Sequence, residues 1–176
     1  MVRKFIFLLL GCLTMNTQAC ANGGLVVGKE APWSSSISLL DENGSAWNLF
    51  AHRGKVVVLY FYPKDGTPGC TAQACGLRDS YRDFDKLGAL IVGVNYERVA
   101  KHKAFKDEHR LPFTLLSDIL GDFARLYEAN RWWPNLMPQR KTIIIDKRGV
   151  VRFILPNIDV KTHKNVVLDH VRELSK

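Results

Sequence analysis

Two unbroken apolar stretches stand out in the hydrophobic pattern of this 176-residue chain. Residues 56–62 and 89–95 are rich in Val, Ile, Leu and aromatic side chains and do not alternate with polar residues. Continuous apolarity over so few residues is typical of a strand that is covered on both faces of its sheet. Both stretches are therefore predicted to be central strands.

The segments around these strands predict the remaining elements. A turn-forming cluster at residues 41–44 separates two short apolar runs, which indicates a hairpin, and Gly88 ends a helix-like segment. The pattern predicts helices at 71–87, 99–109, from 118 or 121 to 127, and 162–174, and strands at 37–40, 46–49, 113–116, 142–145 and 150–155. This order predicts an α/β, thioredoxin-like fold: a central mixed sheet flanked by helices on both faces, with an N-terminal β-hairpin.

The first residues follow a different pattern. A short basic start at residues 3–4 precedes an apolar run at 5–13 that is too short to cross a membrane, and residues 19–21 offer the small side chains that a signal peptidase needs. We therefore expect a signal peptide at 1–21 and a single domain at 22–176, exported to the periplasm without stable membrane insertion. Cleavage after Ala19, or a lipoprotein anchor at Cys12, is the alternative.

The composition narrows the functional classes. The formal net charge is +8, yet Lys and Arg are spread along the chain without a long basic block, which favours a solvated basic surface over nucleic-acid binding. The five histidines have no metal-ligand spacing, so neither a metal nor another cofactor is expected.

The export prediction changes the meaning of the four cysteines. Cys12 and Cys20 belong to the predicted signal peptide, which leaves Cys70 and Cys75, and two cysteines in an exported protein usually form a disulfide. A structural crosslink would remove little unfolded-state entropy across so short a loop, so a redox pair is the favoured interpretation. Cys70 follows a strand and a Pro/Gly-rich turn at the start of a helix, where the helix dipole favours the thiolate.

A specific set of motifs surrounds this pair. Pro63, Thr67 and Cys70 form a Pro-x-x-x-Thr-x-x-Cys pattern, and further matching stretches lie at residues 61–64, 67–71, 73–75, 102–105, 111–118 and 140–146. With these motifs the chain resembles the peroxiredoxins, and within them the bacterioferritin comigratory protein or Q-type subfamily. The resemblance extends over about residues 26–174.

The resemblance implies a thiol-dependent peroxidase that reduces hydrogen peroxide and organic hydroperoxides in antioxidant defence. Cys70 would be the peroxidatic thiolate and Cys75 the resolving cysteine of an intrachain disulfide. Thr67 would hydrogen-bond the thiolate and the peroxide, Pro63 would shield the thiolate from water, and Arg140 would stabilise it and polarise the peroxide. Thioredoxin or a thioredoxin-like protein would be the electron donor, and an intrachain disulfide needs no second subunit, so a monomer is expected.

The spacing of the two cysteines predicts motion. Five residues of helix rise roughly 7.5 Å, whereas a disulfide needs Cα atoms no more than about 7 Å apart. The first turns of the helix must therefore unwind, and Gly76 is consistent with a helix that is marginal there.

Two alternatives to a peroxidase fit the sequence less well. An exported thioredoxin-like thiol–disulfide oxidoreductase requires Cys-x-x-Cys and a proline before the strand at 142–145, where this chain has Lys141. A non-enzymatic binding module with a structural disulfide leaves the placement of Thr67 and Arg140 unexplained. The Trp132–Trp133 pair is equally compatible with a substrate or partner surface and with local packing.

Overall fold

The computed structural model describes residues 24–33, 37, 39–130 and 137–176. The predicted signal peptide, with Cys12 and Cys20, and the Trp132–Trp133 pair lie outside the described residues. In the described ranges the strands are β1 (Leu39–Asp41), β2 (Ala46–Trp47), β3 (Val56–Phe61), β4 (Ala89–Asn95), β5 (Thr114–Ser117), β6 (Lys141–Ile145) and β7 (Val151–Pro156). The α-helices are α1 (Pro68–Asp79), α2 (Tyr81–Lys86), α3 (Val99–His109), α4 (Asp122–Leu126) and α5 (Val160–Leu174).

The strands form one mixed sheet in the order β2-β1-β5-β4-β3-β6-β7. Strands β3, β4 and β5 run parallel, while β1 and β6 pair antiparallel with β5 and β3. The β1–β2 hairpin at one edge and the β6–β7 hairpin at the other are both present, as the sequence predicts. The predicted thioredoxin-like architecture is confirmed.

The central strand β3 is buried on both faces, as its continuous apolarity predicts. Its alternate residues divide between two hydrophobic cores. Val58 and Tyr60 pack with α1, α2, α3 and α5 on one face of the sheet. Leu59 and Phe61 pack with α4 and the N-terminal segment on the other. No helix in the described ranges is both long and apolar enough to cross a membrane.

The main departure from the predicted elements concerns the helix at 71–87. It begins earlier, at Pro68, because proline suits the first helical position, and it ends at Asp79. Ser80 has φ −101° and ψ 6°, outside helical geometry, and separates α1 from α2. The last helix also begins earlier than predicted, because the Asp159 side chain caps it by accepting a hydrogen bond from Lys161 N at 2.9 Å.

Candidate active site

Cys70 lies where strand β3 passes through a short turn into helix α1. Thr67 takes the N-cap position with φ −81° and ψ 147°, and Pro68 is the first helical residue. Cys70 is thereby placed in the first turn of α1, where it is 2% exposed. At this end of a helix the unpaired N–H groups and the helix dipole both stabilise a negative charge, so the position favours a thiolate.

Arg140 brings a positive charge to the same sulfur. Strand β6 pairs antiparallel with β3, with Lys141 opposite Phe61, so the residue before β6 reaches the end of β3 at which the turn starts. Arg140 Nη2 donates to Cys70 Sγ across 3.6 Å, and Nη1 donates to Gln73 Oε1. The guanidinium is therefore positioned to stabilise negative charge on the sulfur.

Pro63 and Thr67, the other predicted site residues in this turn, are half-buried. The Thr67 hydroxyl donates to Lys64 O at 3.2 Å, and the Thr67 carbonyl accepts from Thr71 N at 2.8 Å, closing the first helical turn. In this state the hydroxyl proton points at the backbone rather than at Cys70. A contact between that proton and a substrate oxygen therefore requires rotation of the Thr67 side chain.

Cys75 lies on the same helix as Cys70, and both are free thiols. Cys75 is half-buried, and α1 is continuous from Pro68 to Asp79. Five residues of intact helix separate Cα atoms by a rise of about 7.5 Å, beyond the roughly 7 Å that a disulfide spans. The structure therefore holds the two thiols apart on one intact helix, which is called the closed form of α1 below to distinguish it from a form whose first turns are unwound.

A buried polar network lies behind Arg140. Gln73 Nε2 is 3.1 Å from His163 Nε2, and Thr142 Oγ1 is 2.8 Å from the same nitrogen. These side chains come from α1, α5 and β6, and all three are buried. Burial, and then the positive charge of Arg140, lower the pKa of His163 to about 4, so the imidazole is neutral near neutral pH.

A second polar cluster anchors the turn between β3 and α1. The Asp65 carboxylate accepts from Tyr62 Oη at 2.7 Å and Asn95 Nδ2 at 2.8 Å, and its other oxygen is 2.9 Å from His102 Nδ1. His102 Nε2 is 3.1 Å from Leu116 O. Burial raises the pKa of Asp65, but hydrogen bonds from His102, Tyr62 and Asn95 outweigh it and the pKa lies below its usual value. Both ring nitrogens of His102 therefore lie within 3.1 Å of oxygen atoms, one of Asp65 and one of Leu116.

Comparison with known proteins identifies the family to which this arrangement belongs. The AhpC/TSA family model matches residues 27–154, which is most of the described chain. The chain belongs to the AhpC/TSA family. Chloroplastic peroxiredoxin Q of Triticum aestivum is 43% identical over 139 residues, covering 78% of this chain and 64% of the wheat protein. The putative peroxiredoxin bcp of Coxiella burnetii is 37% identical over 142 residues, covering 78% of this chain and 92% of that protein.

Solved structures of AhpC/TSA relatives have the same fold. Peroxiredoxin Q of Xanthomonas campestris superposes with a TM-score of 0.75 at 30% identity, over 80% of this chain and 92% of that one. BcpB of Mycobacterium tuberculosis superposes with a TM-score of 0.74 at 29% identity, over 83% and 97%. The resemblance to the bacterioferritin comigratory protein or Q-type peroxiredoxins is thereby confirmed. The chain spans less than two thirds of the plant relatives that it matches, for example 64% of the wheat protein and 57% of the Populus jackii protein.

Sequence reasoning about this AhpC/TSA member did not identify Gln73, His163, Asp65 and His102 as parts of the site. Gln73 carried an available signal, because a residue three positions after Cys70 shares its helix face. His102 opens the matching stretch at residues 102–105, but that stretch does not indicate its contact with Asp65. His163 carries no signal, since its partners lie far away along the chain. Within the described ranges, no group of three or more His, Cys, Asp and Glu side chains is arranged to hold a metal ion.

Proposed function

We propose that this protein is a thiol-dependent peroxidase that reduces hydrogen peroxide and organic hydroperoxides. The observation that carries the proposal is the 3.6 Å contact between Arg140 Nη2 and Cys70 Sγ in the first turn of α1. A cationic donor and a helix N-terminus together favour a thiolate and stabilise charge that develops on a leaving oxygen. The Xanthomonas campestris bacterioferritin comigratory protein, a relative at 30% identity, is described as having alkyl peroxide reduction activity.

In the first chemical step the Cys70 thiolate attacks the terminal oxygen of the hydroperoxide. The S–O bond forms as the O–O bond breaks, so the sulfur is oxidised to sulfenic acid and the alkoxide or hydroxide leaves. The leaving oxygen takes a proton from water and departs as an alcohol or as water. Arg140 stabilises the negative charge throughout, Pro63 keeps water from the thiolate, and the Thr67 hydroxyl, once rotated from Lys64 O, donates to the peroxide.

In the second step Cys75 resolves the sulfenic acid. Its thiolate attacks the Cys70 sulfur, the S–S bond forms, and the sulfenic oxygen leaves as water after taking a proton. Because closed α1 holds the two residues too far apart for a disulfide, the first turns of the helix must open before this step. A dithiol then reduces the disulfide, becoming a disulfide itself. We propose thioredoxin or a thioredoxin-like protein as this reductant, acting on a monomer.

Peroxide consumption with dithiothreitol as reductant tests this function. The wild type is expected to consume hydrogen peroxide continuously, Cys70→Ser to abolish consumption, and Cys75→Ser to consume one equivalent and then stall or require added thiol. In the full chain, Cys20→Ser makes the same chemical change in the segment proposed as a signal peptide and should leave consumption unchanged. A wild-type protein that reduces insulin disulfides but does not consume peroxide would instead support the thiol–disulfide oxidoreductase alternative, which Lys141 and the wider cysteine spacing disfavour.

We also propose that residues 1–21 direct export to the periplasm. The support is the basic start, the short apolar run and the small residues at 19–21. Expression of the full chain followed by cell fractionation and intact mass measurement tests this. A periplasmic protein beginning at Asn22 is the expected result, a lipid attached to Cys12 would show the lipoprotein route, and a cytoplasmic protein that retains residues 1–21 would contradict export.

A further inference from the structure

His163 is a buried histidine in contact with the network that reaches Cys70. It lies on α5, is 1% exposed, and uses one ring nitrogen for both of the polar contacts described here for its side chain. Its Nε2 is 3.1 Å from Gln73 Nε2 and 2.8 Å from Thr142 Oγ1. Its Nδ1 has no hydrogen-bond partner among the described residues. Neither the attack of Cys70 on peroxide nor the formation of the Cys70–Cys75 disulfide accounts for this arrangement.

The hydrogen-bond donors and acceptors around His163 determine which of its ring nitrogens carries the proton. Arg140 has only donors, and because its Nη1 contacts Gln73 Oε1, the amide oxygen of Gln73 must face Arg140. The amide NH2 therefore faces His163, whose Nε2 must accept and cannot carry a proton. The Thr142 hydroxyl, 2.8 Å from Nε2, then shares the single lone pair of that nitrogen with the Gln73 amide. The ring proton must then sit on Nδ1, where it has no described partner.

The opposite arrangement is excluded by the same donors and acceptors. If Nε2 carried a proton and donated it to Thr142 Oγ1, the Gln73 NH2 group would lie 3.1 Å from another donor. The Gln73 amide could avoid this only by turning its oxygen toward His163, which would direct its NH2 group at the Arg140 guanidinium. Two donors would then face each other beside Cys70. A charged imidazolium would also place a buried cation close to the Arg140 guanidinium. Burial and Arg140 together lower the pKa of His163 to about 4, which agrees with a neutral ring.

We propose that His163 is a positioning residue: its unprotonated Nε2 fixes the orientation of the Gln73 amide, which in turn holds the Arg140 guanidinium on Cys70 Sγ. This inference rests on the proposed peroxidase function and deepens it. An Nδ1–H that has no partner among the described residues is the cost of presenting the acceptor on the side of Gln73. Helix α5 is remote in sequence from Cys70, and through His163 it contributes to holding Arg140 in contact with the Cys70 sulfur.

Two substitutions separate positioning from packing. His163→Leu fills the space but removes the acceptor, whereas His163→Gln offers an amide oxygen at a similar reach and is the conservative rescue variant. Val167→Ala, one turn further along α5 and also buried, loosens the same helix without touching the network and is the matched control. Each reduced protein is reacted with hydrogen peroxide and, separately, with iodoacetamide, at about pH 10, above the ordinary ionisation range of cysteine.

Alkylation at this pH reports the access and reactivity of the sulfur, and the peroxide reaction reports in addition the placement of Arg140. His163→Leu is expected to react with peroxide about tenfold or more slowly, with an alkylation rate close to that of the wild type. His163→Gln and Val167→Ala are expected to keep most of the peroxide rate. An active wild type with an equally fast His163→Leu protein would overturn the positioning role alone, whereas a wild type that does not react with peroxide would overturn the proposed function as well.

A spectroscopic measurement on the wild type keeps the inference testable even if His163→Leu fails to fold. Nitrogen-15 NMR of the histidine rings at neutral pH distinguishes the two neutral tautomers and the imidazolium. The expected result is a His163 ring that is protonated at Nδ1 and unprotonated at Nε2. A ring protonated at Nε2, or at both nitrogens, would overturn the proposal independently of any activity measurement.

Discussion

Gly76 lies inside helix α1, one residue beyond Cys75. A Cβ atom built at this position meets Lys164 Cδ at 3.7 Å, which is ordinary van der Waals contact, so alanine fits without displacing its neighbours. Alanine is favoured over glycine in a helix interior by about 0.5–1 kcal/mol. Gly76→Ala is therefore expected to stabilise the closed form of α1 by that amount.

This stabilisation has different consequences for the two chemical steps. The attack of Cys70 on peroxide takes place on the closed helix, so its rate should not change. Formation of the Cys70–Cys75 disulfide requires α1 to open, so its rate should fall about two- to fivefold, the kinetic equivalent of 0.5–1 kcal/mol. The sulfenic acid then persists longer, and a larger fraction of the protein should be oxidised further to sulfinic acid.

Stopped-flow measurement of both steps, with mass spectrometry of the sulfinic product, tests this reasoning. Ala72→Gly, at an exposed position between the two cysteines, should change the disulfide rate by a similar factor in the opposite direction. Ala104→Gly makes the same substitution at an exposed position of α3 and should change neither step. If Gly76→Ala and Ala72→Gly both formed the disulfide at the wild-type rate, opening of α1 would not limit resolution and the reasoning would be refuted.

Three further predictions follow from the contacts around the site. Arg140→Leu removes the cationic donor from Cys70 and should lower the rate constant for peroxide by about 10²–10³; stopped-flow rates within a few-fold of the wild type would show that the guanidinium is not needed. His102→Leu removes the ring nitrogens that lie 2.9 Å from the Asp65 carboxylate and 3.1 Å from Leu116 O, and should lower the free energy of unfolding in urea by about 1–3 kcal/mol; an unchanged free energy of unfolding would show that neither contact stabilises the fold. The pKa of His163 is about 4 in the folded protein and 6.5 for a free ring, so between these values the unfolded chain binds a proton that the folded protein excludes. Its contribution to stability is complete above pH 6.5 and is lost as the pH falls to 4, by about 3 kcal/mol; His163→Gln should lack this loss, and an identical pH dependence of urea unfolding in both proteins would contradict the assignment.

The central strands were predictable because a strand that is buried on both faces has apolar side chains at nearly every position. Strands β3 and β4 lie where continuous apolar side chains predict them. The start of α1 at Pro68 is not apparent from the sequence, because a proline next to a glycine is typical of a turn as well as of the first helical position. The end of α1 before Ser80 was missed because the helix-like composition continues across the break.

The polar contacts of the site show where sequence reasoning ends. Arg140 was predicted as a site residue from its motif, but its contact with Cys70 arises from the register of β6 against β3. The contact between Gln73 and His163 joins residues that are 90 positions apart, and it depends on how α5 packs against α1. Neither hydrophobic periodicity nor the spacing of motifs contains information about that packing.

The two cysteines lie on one proteolytic peptide, which makes the central claim directly measurable. Trypsin cleaves after Lys64 and Arg78, so residues 65–78 carry both Cys70 and Cys75. The reduced full-length protein is treated with one equivalent of hydrogen peroxide, and its remaining thiols are alkylated. After digestion with trypsin, the mass of this peptide is measured by mass spectrometry. The account predicts an unalkylated peptide that is lighter than the dithiol form by two hydrogen atoms. A peptide alkylated at both cysteines, with the peroxide unconsumed, would contradict it.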